Sequence, residues 1–140
     1  MASGYPDFEG GKRRVYNTAD WATDVGLAKA FNAFANNQAW NGVASLIYVV
    51  PPGKTLYIMG AATKSMASAA ADAELNQMCE LIIEDLPSGD DLWWQGGNGG
   101  VGQSFTQPIK YDAGHSFILI ARNKANHNCN IQVTALGYEV

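Results

Sequence analysis

The chain has 140 residues, 47% of them hydrophobic and only 16% charged, with fifteen glycines and a formal net charge of −4. That size predicts one domain able to bury about 68% of its unfolded surface without staples. Sparse charge and abundant glycine exclude a helical bundle or coiled coil, and the acidic balance argues against a broad nucleic-acid-binding face.

No apolar run approaches the ~20 residues that a membrane-spanning helix needs. Met1-Ala2-Ser3-Gly4 runs into polar residues rather than an apolar leader segment, so the expectation is a chain made in the cytoplasm without export.

Residues 1–16 read as an arm. Gly4, Pro6, Gly10 and Gly11 punctuate it, and Tyr5 and Phe8 are its large apolar side chains. Such a segment cannot fold alone; the expectation is either disorder or a path along a neighbour, with Tyr5 and Phe8 as anchors. Lys12-Arg13-Arg14 is the one basic cluster. It suits either a solvated run or contact with an acidic partner.

Over residues 24–36, Leu27, Ala30, Phe31 and Phe34 recur at i, i+3, i+4 and i+7, a spacing that predicts a short helix. Asp24 would cap its start and Asn36-Asn37 its end. The expected organisation is therefore an arm with a short helix over residues 1–37 and a β-sandwich over residues 38–140.

From Trp40 the period becomes two. Ala44–Val50 and Thr55–Ala61 read as strands around Pro51-Pro52-Gly53-Lys54, where proline cannot donate to a ladder and glycine admits positive φ. Ser45–Ala62 thus reads as strand, tight turn, strand. Thr63–Asp72, rich in alanine and serine, has no large side chain to bury and reads as a long loop. Leu75–Asp85 alternates, with Leu75, Gln77, Cys79, Leu81 and Ile83 on one face.

After a turn at Pro87–Asp90 come a short strand at Leu92–Gln95, a glycine loop at Gly96–Gly102 and a strand at Ser104–Ile109. A turn at Tyr111–Gly114 leads to Ser116–Arg122 and Cys129–Tyr138, joined by a polar hairpin loop at Asn123–Asn128. Seven or eight short strands with turns between them predict an antiparallel jelly-roll-like sandwich. Cys79 and Cys129 fall on the apolar parity of their strands and read as buried free thiols, with a disulfide between neighbouring strands as the alternative.

Gly97-Asn98-Gly99-Gly100-Val101-Gly102 matches G-x-G-x-x-G, but a strand ending at Pro108 follows it. A dinucleotide fingerprint must open a helix. Pro52-Gly53 with Tyr57, and Asp112-Ala113-Gly114-His115, fail as cupin metal motifs because the histidines are missing or misplaced. The chain has two histidines in all, where a transition-metal site wants three or four converging ligands. His115 beside Asp112 and Ser116 is closeness in sequence rather than triad geometry, and Glu80 with Glu84 reads as a solvated sheet face. No catalytic set, metal or cofactor is expected. Strand alternation sends one of Trp93 and Trp94 outward, where it would serve a subunit interface, a ligand platform or partial burial.

With the strands placed, Ser45 to Val140 resembles small jelly-roll structural proteins of tailed bacteriophages, of the head decoration, head spike and fibre-tip kinds. The residues that carry this are Tyr48-Val49-Val50-Pro51-Pro52-Gly53-Lys54-Thr55-Leu56-Tyr57-Ile58, Phe105–Ile109 with Asp112-Ala113-Gly114, and the closing Ile131–Val140.

The resemblance implies a virion structural protein acting as a homotrimer. The preferred reading is a capsid decoration (cement) protein bound to the major capsid protein on the head, with residues 1–37 as anchor. A carbohydrate- or receptor-binding module of a fibre or spike, taking a surface glycan, is the alternative. The candidate partner-contact residues are Tyr5, Phe8, Lys12, Arg13, Arg14, Trp93 and Trp94.

Overall fold

The computed structural model describes residues 27–140 apart from position 98. Eight strands follow in order: β1 (Leu27–Gln38), β2 (Val43–Val49), β3 (Leu56–Ala67), β4 (Cys79–Leu86), β5 (Asp90–Gly96), β6 (Gly102–Tyr111), β7 (Ser116–Asn123) and β8 (Cys129–Glu139). They form two antiparallel four-stranded sheets, ordered β1-β8-β3-β6 and β2-β7-β4-β5. The hairpin β4-β5 is nested inside the pair β3-β6, then β2-β7, then β1-β8. This is the topology of an eight-stranded jelly roll.

Alternation explains the layers. In β8, Cys129, Ile131, Val133 and Ala135 are buried while Thr134 and Leu136 are exposed. Leu56 and Ile58 of β3 face Leu81 and Ile83 of β4 and Phe117 and Leu119 of β7 in one continuous core. Phe117 joins the sheets. Its ring meets Phe31 of β1 and Tyr111 of β6, each with centroids 5.1 Å apart, edge on, a geometry that adds to area burial. Cys79 and Cys129 are buried free thiols.

Four expectations are corrected. The helix over 24–36 is absent from the described part of that span, where β1 pairs with β8 from Leu27↔Glu139 to Gln38↔Cys129. Alanine fits either period, and pairing with β8 decides between them. Phe31 turns into the core, whereas Phe34 is 68% exposed. The sandwich therefore already includes Leu27.

Secondly, Thr63–Asp72 is not all loop, because β3 continues to Ala67. Thr63 and Ser65 are buried, and small side chains fill the narrow end of the core where large ones would overpack it. A short 3-10 turn, Ala70–Asp72, follows.

Thirdly, Ser45–Ala62 is no hairpin. β2 and β3 lie in opposite sheets, and Pro51–Lys54 carries the chain across, closed by Lys54 N–H donating to Pro51 O at 3.1 Å with Gly53 at φ +75°. Fourthly, Asn123–Asn128 also crosses between sheets, from β7 to β8.

Asn123 fixes that second crossing. It is fully buried. Its Nδ2 donates to Gln38 O at 2.8 Å and His127 O at 3.0 Å, and its Oδ1 accepts from Ala125 N at 2.9 Å. Asn123→Leu matches its bulk but orphans these three backbone groups. The expected loss is about 3 kcal/mol, read as a lower urea midpoint at unchanged m-value. A loss within ~0.5 kcal/mol would contradict the role given to this side chain.

The glycine-rich segment is scaffold. Thr63 N donates to Val101 O at 2.8 Å, Ser65 N to Gly99 O at 2.9 Å, and Val101 N to Thr63 Oγ1 at 3.0 Å. Gly100, at φ +136°, lies so close that a Cβ would stand 2.2 Å from Thr63 O. Glycine serves here for close backbone approach along β3.

Candidate functional site

The sandwich presents two outer faces of opposite character. On the β2-β7-β4-β5 sheet, register places Ser45, Ile120, Ile82 and Trp93 in one row across all four strands. The next row is Ile47, Ile118, Glu84 and Asp91, and beyond it come Val49, Ser116 and Leu86. Ile47 is 67% exposed, Trp93 61% and Val49 57%, while Ile82 and Ile118 are nearly covered by these neighbours.

A solvated sheet face normally alternates to polar. This one instead carries an apolar stripe from the β2 edge to the β5 edge, with carboxylates towards β4 and β5. Four strands at ~4.8 Å by seven residues at ~3.3 Å give the whole face roughly 440 Å² in plan, and the stripe covers part of it. Contiguous apolar patches on monomers are often functional. Glu80, buried on the same face, has Arg122 Nη1 at 3.6 Å and Lys124 Nζ at 3.9 Å.

The outer face of the β1-β8-β3-β6 sheet is a trough. Two rows make its floor, small side chains apart from Leu136 and Asn32: Ala30, Leu136, Gly60 and Ser104, then Asn32, Thr134, Ala62 and Gly102. This open hollow has a volume of about 530 Å³. One wall is Tyr57 stacked on Tyr138, with centroids 4.9 Å apart and 17° between planes. On the other side the next row is Phe34, Gln132 and Lys64, whose longer side chains bound the floor and line a second hollow with Asn32 and Met66. A bulge in β3 between Ile58 and Gly60 opens the floor beside the tyrosine wall.

Charge divides between the sheets. The strands β4 and β5 carry Glu80, Glu84, Asp85, Asp90 and Asp91. In β1, β3, β6 and β8 the sole carboxylate is Glu139, which is buried.

At the chain-crossing end, Tyr48 Oη donates to Glu139 Oε1 at 2.5 Å, and Lys29 Nζ lies 3.6 Å from Glu139 Oε2. Burial first, then the Glu139 hydrogen bond and charge, push Tyr48 up to about 12. Burial, followed by the charge of Asp85, raises Tyr111 well above the ordinary phenol range. Both folded-state values lie above the unfolded one near 10. Their contribution is therefore complete below pH ~10 and lost as pH rises through the folded values. Stability should hold to pH ~10 and then fall, with Tyr48 and Tyr111 ionising after the exposed phenols in a phenolate-absorbance titration. Ionisation of all six tyrosines in one step near pH 10, with the fold intact, would contradict this.

Trp93 is the outward tryptophan. Trp94 turns inward on the core, 5.7 Å from Phe105 between ring centroids, so the two do not act together. Tyr5, Phe8, Lys12, Arg13 and Arg14 lie outside the described residues. Sequence reading missed Ile47, Ile82, Ile118 and Ile120. Each is ordinary within its own strand, and only cross-strand register puts them side by side. The trough was missed for the same reason, its floor coming from four strands distant in sequence. The Asp112–His115–Ser116 grouping does not form, for His115 Nδ1 lies 2.9 Å from Asp85 Oδ1.

No described protein family matches the chain, and no curated protein matches it in sequence. Among solved structures, the Yersinia pseudotuberculosis-derived mitogen is similar over 68% of this chain and 85% of its own, at 13% identity and a TM-score of 0.26. Nothing about this chain's function rests on so slight a likeness.

Proposed function

We propose that the chain is a virion structural protein, a capsid decoration protein that acts as a trimer on the outer surface of a phage head. The observation that carries this is the apolar stripe of Ile47, Ile118, Ile120, Ile82 and Trp93, a surface suited to contact between copies. The likeness of Tyr48–Ile58 and Ile131–Val140 to phage jelly-roll proteins supplies the virion context. The N-terminal residues, with Tyr5, Phe8 and Lys12-Arg13-Arg14, add area to the head contact.

Heads assembled without this protein provide the test. The purified full-length chain is expected to co-sediment with them, and deletion of residues 2–14 to abolish binding while the trimer persists. Undiminished binding by the deletion variant would overturn the anchoring role.

A second reading rests on Trp93 alone. A flat indole 61% exposed would stack on a sugar ring in a fibre or spike module. Reproducible glycan-array binding lost in Trp93→Ala would favour it over decoration.

A further inference from the structure

We infer that the trough across the outer β1-β8-β3-β6 face is the surface that meets the head, and that it takes a helix-wide, apolar crest of the shell protein carrying carboxylates. The inference rests on the decoration reading.

Shape is the first argument. Along β8 the tyrosine wall at Tyr138 and the opposite wall at Gln132 are six residues apart, roughly 20 Å between Cα atoms. Less the side chains of both walls, that gap admits a helix about 10–12 Å across. Gly60, Ala62 and Gly102 keep the floor low, so the crest would approach the sheet backbone itself. Leu136, 53% exposed in the same floor, offers it an apolar contact.

Charge is the second. The chain is acidic overall, yet this sheet has no carboxylate on its outer face. Lys64 stands on the far wall with no ion pair among the described residues, and Lys110 stands beside the tyrosine wall, 3.5 Å from Asp112 in the following turn. The acidic side chains gather on the other sheet. A partner bearing carboxylates is therefore attracted to this face and repelled from the other, which leaves the apolar stripe for contacts between copies. Continuity is the third argument. The N-terminal 26 residues join the sandwich at β1, the edge strand of this same sheet.

Gly102 provides a clean probe. A Cβ there would meet only Ala62 Cβ, at an ordinary 3.7 Å, so a side chain can enter the trough without displacing backbone. Gly102→Trp and Lys64→Glu are each expected to weaken co-sedimentation with decoration-free heads at least tenfold. Trimer mass and thermal midpoint should stay as in the wild type. Lys54→Glu, the same charge change in the exposed Pro51–Lys54 turn, should bind normally. Wild-type binding should weaken as salt is raised.

Wild-type affinity in both trough variants would overturn the inference and leave the decoration reading standing. Dissociation of the trimer by Gly102→Trp would overturn it by placing a second copy in the trough. Failure of the wild type itself to bind heads would remove the decoration reading, and the inference with it.

Discussion

Gly137→Ala is expected to stop the chain reaching its native fold. Gly137 lies in β8, paired on one side with Lys29 of β1 and on the other with Ile58 of β3. A Cβ added there would stand 2.0 Å from Tyr57 O and 3.0 Å from its carbonyl carbon. Both are backbone atoms of a strand hydrogen-bonded on each side, so neither can swing away as a side-chain tip would. Relief requires opening the β3-β8 ladder next to the β3 bulge between Ile58 and Gly60. The cost should exceed about 4 kcal/mol, against a total stability of roughly 5–15 kcal/mol for a domain. Insoluble expression, or loss of the cooperative melt, is the expected result.

Gly53→Ala is the matched control. Gly53 has φ +75° but nothing within 4 Å of its Cβ position, so only the conformational strain of about 1 kcal/mol applies. Near-equal stability of the two variants would show that backbone approach at Gly137 is not the constraint.

Phe117→Ala should cost about 3–5 kcal/mol. Phe117 is fully buried and is the side chain of the β2-β7-β4-β5 sheet that meets Phe31 and Tyr111 of the other. Its removal opens a cavity between layers whose walls are held by ladders on both sides, so collapse around it is limited. With an entropy of unfolding typical for this size, the melting temperature should drop by roughly 10–15 °C. Phe117→Leu should recover more than half of the loss, because it restores volume without the ring contacts. A loss below ~1.5 kcal/mol for the alanine variant would mean that the layers are held elsewhere.

These cases show what could be read before the fold was known. Alternation in Cys129–Thr134 is strong, because Cys129, Ile131 and Val133 recur at every second position between polar residues, and the inward face of that strand follows from it directly; Ser116–Arg122 is legible as a strand, but Phe117–Ala121 is apolar on both faces and does not show which side turns inward. Phe31, spaced from Phe34 as on a helix, misleads because alanines between them satisfy either period. The contact of Phe31 with Phe117, 86 positions away, decides the matter. Thr63 and Ser65 mislead in another way: small polar side chains look like loop, yet a tapering core needs them. The proline–glycine turn at Pro51–Lys54 was legible as a turn but not as a crossing, since local chemistry sets the bend and the distant ladders set which sheet the next strand joins.

The candidate surfaces divide along the same line. That one of Trp93 and Trp94 points outward follows from strand parity, but which one does so depends on the sheet packed behind β5. The apolar stripe and the trough exist only once register brings Ile47, Ile118, Ile120 and Ile82, or Gly60, Ala62 and Gly102, into neighbouring rows. Neither has a signature along the chain.

Contact between copies through the outer β2-β7-β4-β5 face is the central proposal. Light scattering on the purified full-length chain across a range of concentrations tests it most directly. The expected mass is three times the 15.0 kDa subunit, falling to a single, folded subunit when Ile47→Lys and Trp93→Ser are combined. A wild-type chain that remains monomeric at every concentration would contradict it.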